Sequence, residues 1–273
     1  MPNILDEIFA AKQVEVAESK RARPLRAVRA EAETAPGAAS FASALRRGGP
    51  EATIPALIAE VKFASPSKGI LVEAADPLGL AGQYVQAGAA AVSVLTDQKY
   101  FHGRLDDLKD IHKAFPAVPL LRKDFVCDPY QVYEARAAGA SAILLIAAHL
   151  ESGLLADLHA LARELGLAVL VEVHDRNELD TAVKVDGLSL LGVNNRDLRT
   201  FRVDVQTCLG LRPLVPDSIC FVAESGIHSR EDVLRLAAAR VDAMLIGEAL
   251  VTAPDVSQAV QALFGRDRLP ENG

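Results

Sequence analysis

The stretch Ala138-Gly139-Ala140-Ser141-Ala142-Ile143-Leu144-Leu145-Ile146 joins the end of a helix to a short aliphatic run. Glycine at the joint suits a helix C-cap, which needs a left-handed residue. The run is continuous rather than alternating, as in a parallel strand covered on both faces. The same joint recurs at 87–95 (AGAAAVSVL), 185–193 (VDGLSLLGV) and 241–247 (VDAMLIG). Working outward from it, aliphatic runs fall at 56–61, 91–95, 119–121, 142–146, 168–171, 189–193, 219–223 and 243–246. Stretches with apolar residues at i, i+3 and i+4 lie between them, for example 128–138, 152–165 and 229–239. Glu60 and Gly247 are 187 residues apart over seven intervals, about 27 per unit, the size of a βα repeat. Eight such units predict an α/β chain folded as a (β/α)8 TIM barrel. An open doubly wound sheet is the alternative, and no GxGxxG follows the first run to support it.

The remaining sequence frames this barrel. Residues 4–20 read as an amphipathic helix with Ile4, Ile8, Ala11 and Val14 on one face. A shorter helix is predicted over 40–47, entered from the Pro36-Gly37 turn. Gly48-Gly49-Pro50 then breaks the chain. The 273 residues thus read as one domain: a helical extension over 1–50 packed on a barrel over 51–265, with a tail at 266–273.

Composition limits the functions open to such a chain. Half the residues are hydrophobic, but aromatics are only 5% and Trp is absent, so the core is aliphatic. The net charge of −7 leaves no basic excess to neutralise a nucleic-acid backbone. A small anionic ligand held by local cations stays open. Cys127, Cys208 and Cys220 form no CxxC pair and read as buried thiols. The six histidines show no HxxxH spacing, so no metal site is indicated. No run reaches the roughly 18 apolar residues of a membrane helix, and the N-terminus is not a signal peptide. A cytoplasmic protein is expected, with monomer and homo-oligomer both compatible with the sequence.

In barrels of this kind the active site lies at the C-terminal ends of the strands. Polar residues gather there at six of the eight runs. Glu60 and Lys62 follow the first run and share a face, because side chains alternate along a strand. Lys123 and Phe125 follow the third, Glu172 the fifth, Asn194 and Arg196 the sixth, Glu224 and Ser225 the seventh, and Gly247 and Glu248 the eighth. Gathering so many charges at one rim is costly unless they pair or bind something. Taken singly, Glu60–Lys62 is equally a rim salt bridge and Asn194 equally a turn residue. Glu172 follows four aliphatic residues, and burial would raise its pKa toward that of a general base. Ser225-Gly226 and Gly247-Glu248 offer backbone N–H groups where barrels often hold phosphate.

The segments Ile58-Ala59-Glu60-Val61-Lys62, Ser65-Pro66-Ser67-Lys68-Gly69, Leu121-Arg122-Lys123-Asp124-Phe125, Leu170-Val171-Glu172-Val173, Gly192-Val193-Asn194-Asn195-Arg196-Asp197-Leu198 and Ala223-Glu224-Ser225-Gly226-Ile227 stand in this order at the strand ends. Together they resemble indole-3-glycerol phosphate synthase, over nearly the whole chain and including Lys12 and Glu15 of the first helix. One departure is Phe63, where many relatives carry a polar or basic residue. It should point away from the mouth. The resemblance implies ring closure of 1-(2-carboxyphenylamino)-1-deoxyribulose 5-phosphate, with loss of carbon dioxide and water and without a metal or other cofactor.

It also implies the roles. Lys123 is the proton donor to the carbonyl, with a pKa lowered by Lys62 and partial burial. Lys62 binds the departing carboxylate, and Glu172 serves the dehydration. Glu60 and Asn194 hold the sugar hydroxyls. Ser225, Gly226, Gly247 and the Glu248 backbone take the phosphate. Phe125 and Leu144 pack on the aromatic ring, and Ser65, Arg196 and Glu224 complete the substrate contacts. A Schiff-base aldolase using Lys123 and a non-catalytic phosphate-binding barrel are the competing readings. A phosphoribosylanthranilate isomerase would need a Cys at an early strand end, and none stands there.

Overall fold

A computed structural model of the chain describes residues 4–46, 54–73, 75–197 and 200–265. Eight parallel strands close into a barrel: β1 (Ala56–Val61), β2 (Ala91–Leu95), β3 (Leu120–Lys123), β4 (Ala142–Ile146), β5 (Ala168–Val173), β6 (Leu190–Asn194), β7 (Cys220–Glu224) and β8 (Ala243–Ile246). Each pairs with its neighbours in sequence, and β1 closes the ring against β8. All eight predicted runs are strands of this barrel. Four of them reach further toward the C-terminus than their aliphatic runs. The ladder of backbone hydrogen bonds thereby carries Lys123, Glu172, Asn194 and Glu224 as strand residues. Polar side chains end an aliphatic run without ending a strand, which is why the boundaries shift.

Alternation along each strand sorts its side chains. Leu57, Ala59 and Val61 join the layer between strands and helices, while Ile58 faces the barrel axis with Leu121, Leu144, Leu170 and Leu245. Phe63 is buried in the outer layer, away from the mouth. One helix of six residues or more follows every strand, from Pro77–Gln86 after β1 to Val256–Phe264 after β8. Asp76, Asp128, Asp175 and Asp255 cap four of these helices by accepting a backbone N–H of the first turn. Gly139 sits at the helix–strand joint with φ +89°, and a Cβ there would strike the His112 ring. Among the described residues no helix is long and apolar enough to cross a membrane.

Residues 4–46 form three helices, α1 (Ile4–Ala22), α2 (Leu25–Thr34) and α3 (Phe41–Leu45). The buried face of α1 is Leu5, Ile8, Phe9, Lys12 and Val16, so the predicted face is rotated and Val14 is exposed. Phe9 decides the rotation: its ring stacks on His149 at 3.8 Å and meets Phe125 edge-on at 5.6 Å. The first five residues of α1 reach the mouth of the barrel, where Leu5 and Ile8 join the inner cluster. Phe41 and Leu45 of α3 join the same cluster alongside Cys220 and Ala243, which begin their strands at the opposite end. Ser40 caps α3 by accepting the Ser43 N–H.

The α2 helix was not predicted. Its Arg- and Glu-rich sequence offers only Leu25 and Val28 as large apolar residues, and it is held by contacts from elsewhere in the chain. Val28 packs with Tyr130, whose hydroxyl donates to the Ser19 and Arg23 carbonyls. Arg136 donates to the Ala35 and Pro36 carbonyls. Lys20 donates to Asp128 at 2.7 Å. The predicted break at Gly48-Gly49-Pro50, the end of the second predicted helix at Arg47, Leu198 and the tail at 266–273 lie outside the described residues.

Candidate active site

A cavity of about 140 Å³ opens at the C-terminal ends of the strands. Its polar wall carries Glu60, Lys62, Ser65, Lys123, Glu172, Asn194 and Arg196, with Ser225, Gly226, Gly247 and Glu248 on the far side. Its apolar wall carries Phe125 and Leu144, joined by Leu5 and Ile8 of α1 and by Phe101. Thus thirteen of the fourteen residues singled out from the sequence line one cavity. The fourteenth, Glu224, lies beneath it, 1% exposed, and touches Lys123 rather than the open space.

Lys123 is the centre of this arrangement. Its ammonium lies 3.1 Å from Glu224 Oε2, 3.6 Å from Glu172 Oε2 and 3.8 Å from Glu60 Oε1. These three carboxylates reach it from β7, β5 and β1, whose register sets their last inward side chains at similar heights. Burial alone would lower the Lys123 pKa, but Glu224, Glu172 and Glu60 outweigh it and hold the ammonium well above the usual lysine range. The expected lowering by Lys62 is therefore reversed. Lys62 instead pairs with Glu60 at 2.7 Å, as their shared face implied. Glu60 is held below the usual carboxylate range, since Lys62 and Lys123 overcome the cost of its burial.

The two remaining carboxyls separate, and Glu172 does so against expectation. Burial would raise Glu172, but Lys123 and His174 outweigh it and Glu172 is depressed. Glu224 is raised by burial and by the charge of Glu172 beside it, against the pull of Lys123. Both Glu224 oxygens are buried without a well-directed hydrogen bond. One cation cannot satisfy three buried carboxylates, so the deepest of them holds a proton more readily than the others.

The far side of the cavity is built differently. Ser225 and Gly226 are consecutive left-handed residues, with φ of 62° and 75°. For a serine this conformation costs roughly 1 kcal/mol or more, and it is the sharp reversal that turns the chain from β7 into the cavity wall. A Cβ at Gly226 would strike Val203, and one at Gly247 would strike the Glu60 carboxylate. The Glu248 side chain does not point away. Its two oxygens lie 3.4 Å from Lys68 Nζ and 3.5 Å from Arg196 Nη2. A carboxylate of the chain thus bridges the cations an incoming anion would meet.

Sequence reasoning missed three groups around this cavity. The apolar wall contributed by α1 carried no motif. Lys12, Asp97, Asp124 and Arg122 form a buried charged network behind Lys123; in sequence Lys12 stood out only through the family resemblance, Arg122 and Asp124 only as neighbours of Lys123, and Asp97 not at all. His174 was set aside with the other histidines, yet it contacts Glu172. Its signal was its position two residues beyond Glu172, hence on the same face of the strand end.

The chain was compared with known proteins. A family model described as indole-3-glycerol phosphate synthase matches residues 5–263. An indole-3-glycerol phosphate synthase of Albidiferax ferrireducens is 48% identical over 264 residues, covering 97% of this chain and 99% of the relative. One of Roseiflexus sp. (strain RS-1) is 49% identical over 272 residues, with 97% and 99% covered. Among solved structures, a 3-hexulose-6-phosphate synthase aligns with a TM-score of 0.61 at 15% identity, over 76% of this chain and 97% of that one. A mutant tryptophan synthase alpha-subunit from Pyrococcus furiosus aligns with a TM-score of 0.58 at 14% identity, with the same coverage. These two likenesses carry the barrel fold alone. The family model spans all eight strands of the barrel, and the chain belongs to the indole-3-glycerol phosphate synthase family.

Proposed function

We propose that the cavity at the barrel mouth carries out the family's carboxy-lyase reaction of tryptophan biosynthesis, with Lys123 as proton donor and Glu172 as base. The observation that carries this reading is the Lys123 ammonium held among Glu224, Glu172 and Glu60 at 3.1–3.8 Å. The substrate is the phosphorylated anthranilate-ribulose, and the cavity's two walls suit its two ends. The anthranilate ring packs against Phe125, Leu144 and Ile8. The phosphate meets Ser225, Gly226, Gly247 and the backbone of Glu248, with Ser65 and Arg196 beside them.

The aromatic carbon bearing the carboxylate attacks the ribulose carbonyl, and its π electrons form the new carbon–carbon bond. The carbonyl oxygen takes a proton from Lys123. Lys62 neutralises the carboxylate until its bond to the ring breaks, leaving carbon dioxide and restoring aromaticity. The new hydroxyl then leaves as water with a second proton, and Glu172 removes a proton from the adjacent carbon to complete the indole. Glu60 and Asn194 hold the ribulose hydroxyls in the reactive conformer, a contribution of several kcal/mol when geometry is well fixed. One proton is consumed overall, because a carboxylate departs as neutral carbon dioxide.

The same charges weigh against a Schiff-base aldolase. Imine formation needs a neutral amine, whereas three carboxylates hold Lys123 as ammonium. The test is direct: the protein is mixed with 1-(2-carboxyphenylamino)-1-deoxyribulose 5-phosphate and indole fluorescence is followed. Fluorescence rises on this reading, and borohydride traps no substrate adduct on Lys123. Folded protein that gives no rise overturns it.

A further inference from the structure

A second cavity of about 370 Å³ lies beside the first, sharing Leu5 and Asn194 with it. The wall between them includes His174, whose side chain is 12% exposed. Its Nδ1 lies 3.0 Å from Glu178 Oε2, and its Nε2 lies 3.3 Å from Glu172 Oε1. The imidazole is thus wedged between a carboxylate of the active site and one outside it. Glu178 is itself fixed. The same oxygen accepts the His174 backbone N–H at 2.7 Å, and the Glu178 N–H is bound by the capping Asp175 at 3.0 Å.

From this geometry we infer that His174 is a positioning residue, an imidazolium clamped by Glu178 that holds the Glu172 carboxylate in place and ionised for the dehydration step. The inference rests on Glu172 being the base of the proposed reaction. It adds a group that never touches substrate and acts only through Glu172.

The surroundings favour the charged ring. From the helix after β5 it faces Glu178 and the capping Asp175, and from β5 itself it faces Glu172. Across the second cavity stand Asp6 from α1, and Asp197, Arg202 and Asp204 from the loop after β6. Burial would lower the His174 pKa, but Glu172 and Glu178 outweigh it and raise it to about 10. The ring therefore stays protonated at neutral pH. Lys123, on the other side of Glu172, is committed to three carboxylates and cannot by itself give Glu172 a full partner. Glu172 Oε2 is buried without a hydrogen bond, so its ionisation depends on charges nearby.

The experiment compares the pH dependence of kcat/KM for the wild type, His174→Asn and His174→Gln, with indole fluorescence as the readout. Removing the cation raises the Glu172 pKa. The acid limb of the profile should move up by about one pH unit or more, with KM near pH 8 unchanged. Glutamine keeps a hydrogen-bonding amide between the two carboxylates but no charge, and it carries the test should the asparagine variant fail to fold. An acid limb at the wild-type position in the folded variant overturns the inference while leaving the reading of the site intact. A wild-type protein that forms no indole overturns that reading itself, and the inference with it.

Discussion

The Lys12 ammonium lies 3.0 Å from Asp124 Oδ1, and neither side chain is more than 1% exposed. The same nitrogen reaches Asp97 at 2.8 Å and the half-exposed Glu15 at 2.8 Å. Arg122 holds the other oxygen of Asp124 at 2.9 Å, and Thr96 donates to it at 2.6 Å. This network ties α1 to the strand end that carries Lys123. Replacing Lys12 with Met strands Asp97 and Asp124 as buried, under-compensated charges. Breaking a buried pair in this way costs about 3–5 kcal/mol. Urea unfolding of Lys12→Met should show a loss of that order, and a loss below about 1 kcal/mol would contradict the network's role.

The same network sets a pH window for stability. Asp124 is held below its ordinary 3.8, because Arg122 and Lys12 outweigh the cost of its burial. A depressed acid contributes fully above that ordinary value and loses its contribution as pH falls below it. Lys12 is raised above its ordinary 10.5, since Asp124 and Asp97 outweigh its burial. A raised base contributes fully below that value and loses its contribution as pH rises beyond it. Wild type and Lys12→Met should therefore differ most between these limits, and the gap should close on either side in thermal melts across pH.

The Lys123→Arg and Lys62→Arg variants separate the two lysines. If Lys123 donates the first proton, Lys123→Arg loses about 10²–10⁴-fold in kcat. Lys62→Arg keeps a cation for the carboxylate and should lose mainly in KM. Because Lys123 is held above its ordinary 10.5, the wild-type rate should show no alkaline limb from this group below that pH. Near-normal turnover by Lys123→Arg at neutral pH would remove Lys123 from its assigned role.

Glu248 occupies Lys68 and Arg196 before any ligand arrives. Glu248→Gln frees both cations for the phosphate. These side chains are partly exposed, so the gain is modest, about two- to fivefold in KM. Inhibition by inorganic phosphate should tighten in parallel. A rise in KM would mean that Glu248 orients Arg196 rather than competing for it.

Gly247→Ala tests how closely the phosphate end abuts the catalytic charges. A methyl group there overlaps the Glu60 carboxylate, and Glu60 holds Lys62 at 2.7 Å. The variant should lose kcat as well as phosphate affinity, by roughly tenfold or more, since small displacements of positioned groups are costly. An effect confined to KM would show that Glu60 gives way without consequence.

The barrel was legible because eight aliphatic runs can be recognised without knowing what they touch. The cavity residues were legible because strand ends converge in this fold. What sequence could not supply was the sign of each perturbation. Burial of Glu172 suggested a raised pKa, and only the three-dimensional approach of Lys123 and His174 reverses it. Lys62 is close to Lys123 in the site, but three carboxylates decide the outcome. The face of α1 failed for a similar reason: Val14 and Phe9 are both apolar, and only the position of Phe125 and His149 selects Phe9.

Two of the three N-terminal helices serve the openings of the barrel, α1 at the mouth and α3 at the other end. Lys20 reaches Asp128 across 108 positions of sequence, and Phe41 shares a cluster with Ala243 near the end of the chain. The helices α1–α3 precede the barrel in sequence, yet the surface that α3 covers includes the first residues of β7 and β8. The cover over that end is therefore complete only when β7 and β8 have joined the ring, which couples the sealing of the barrel to its closure.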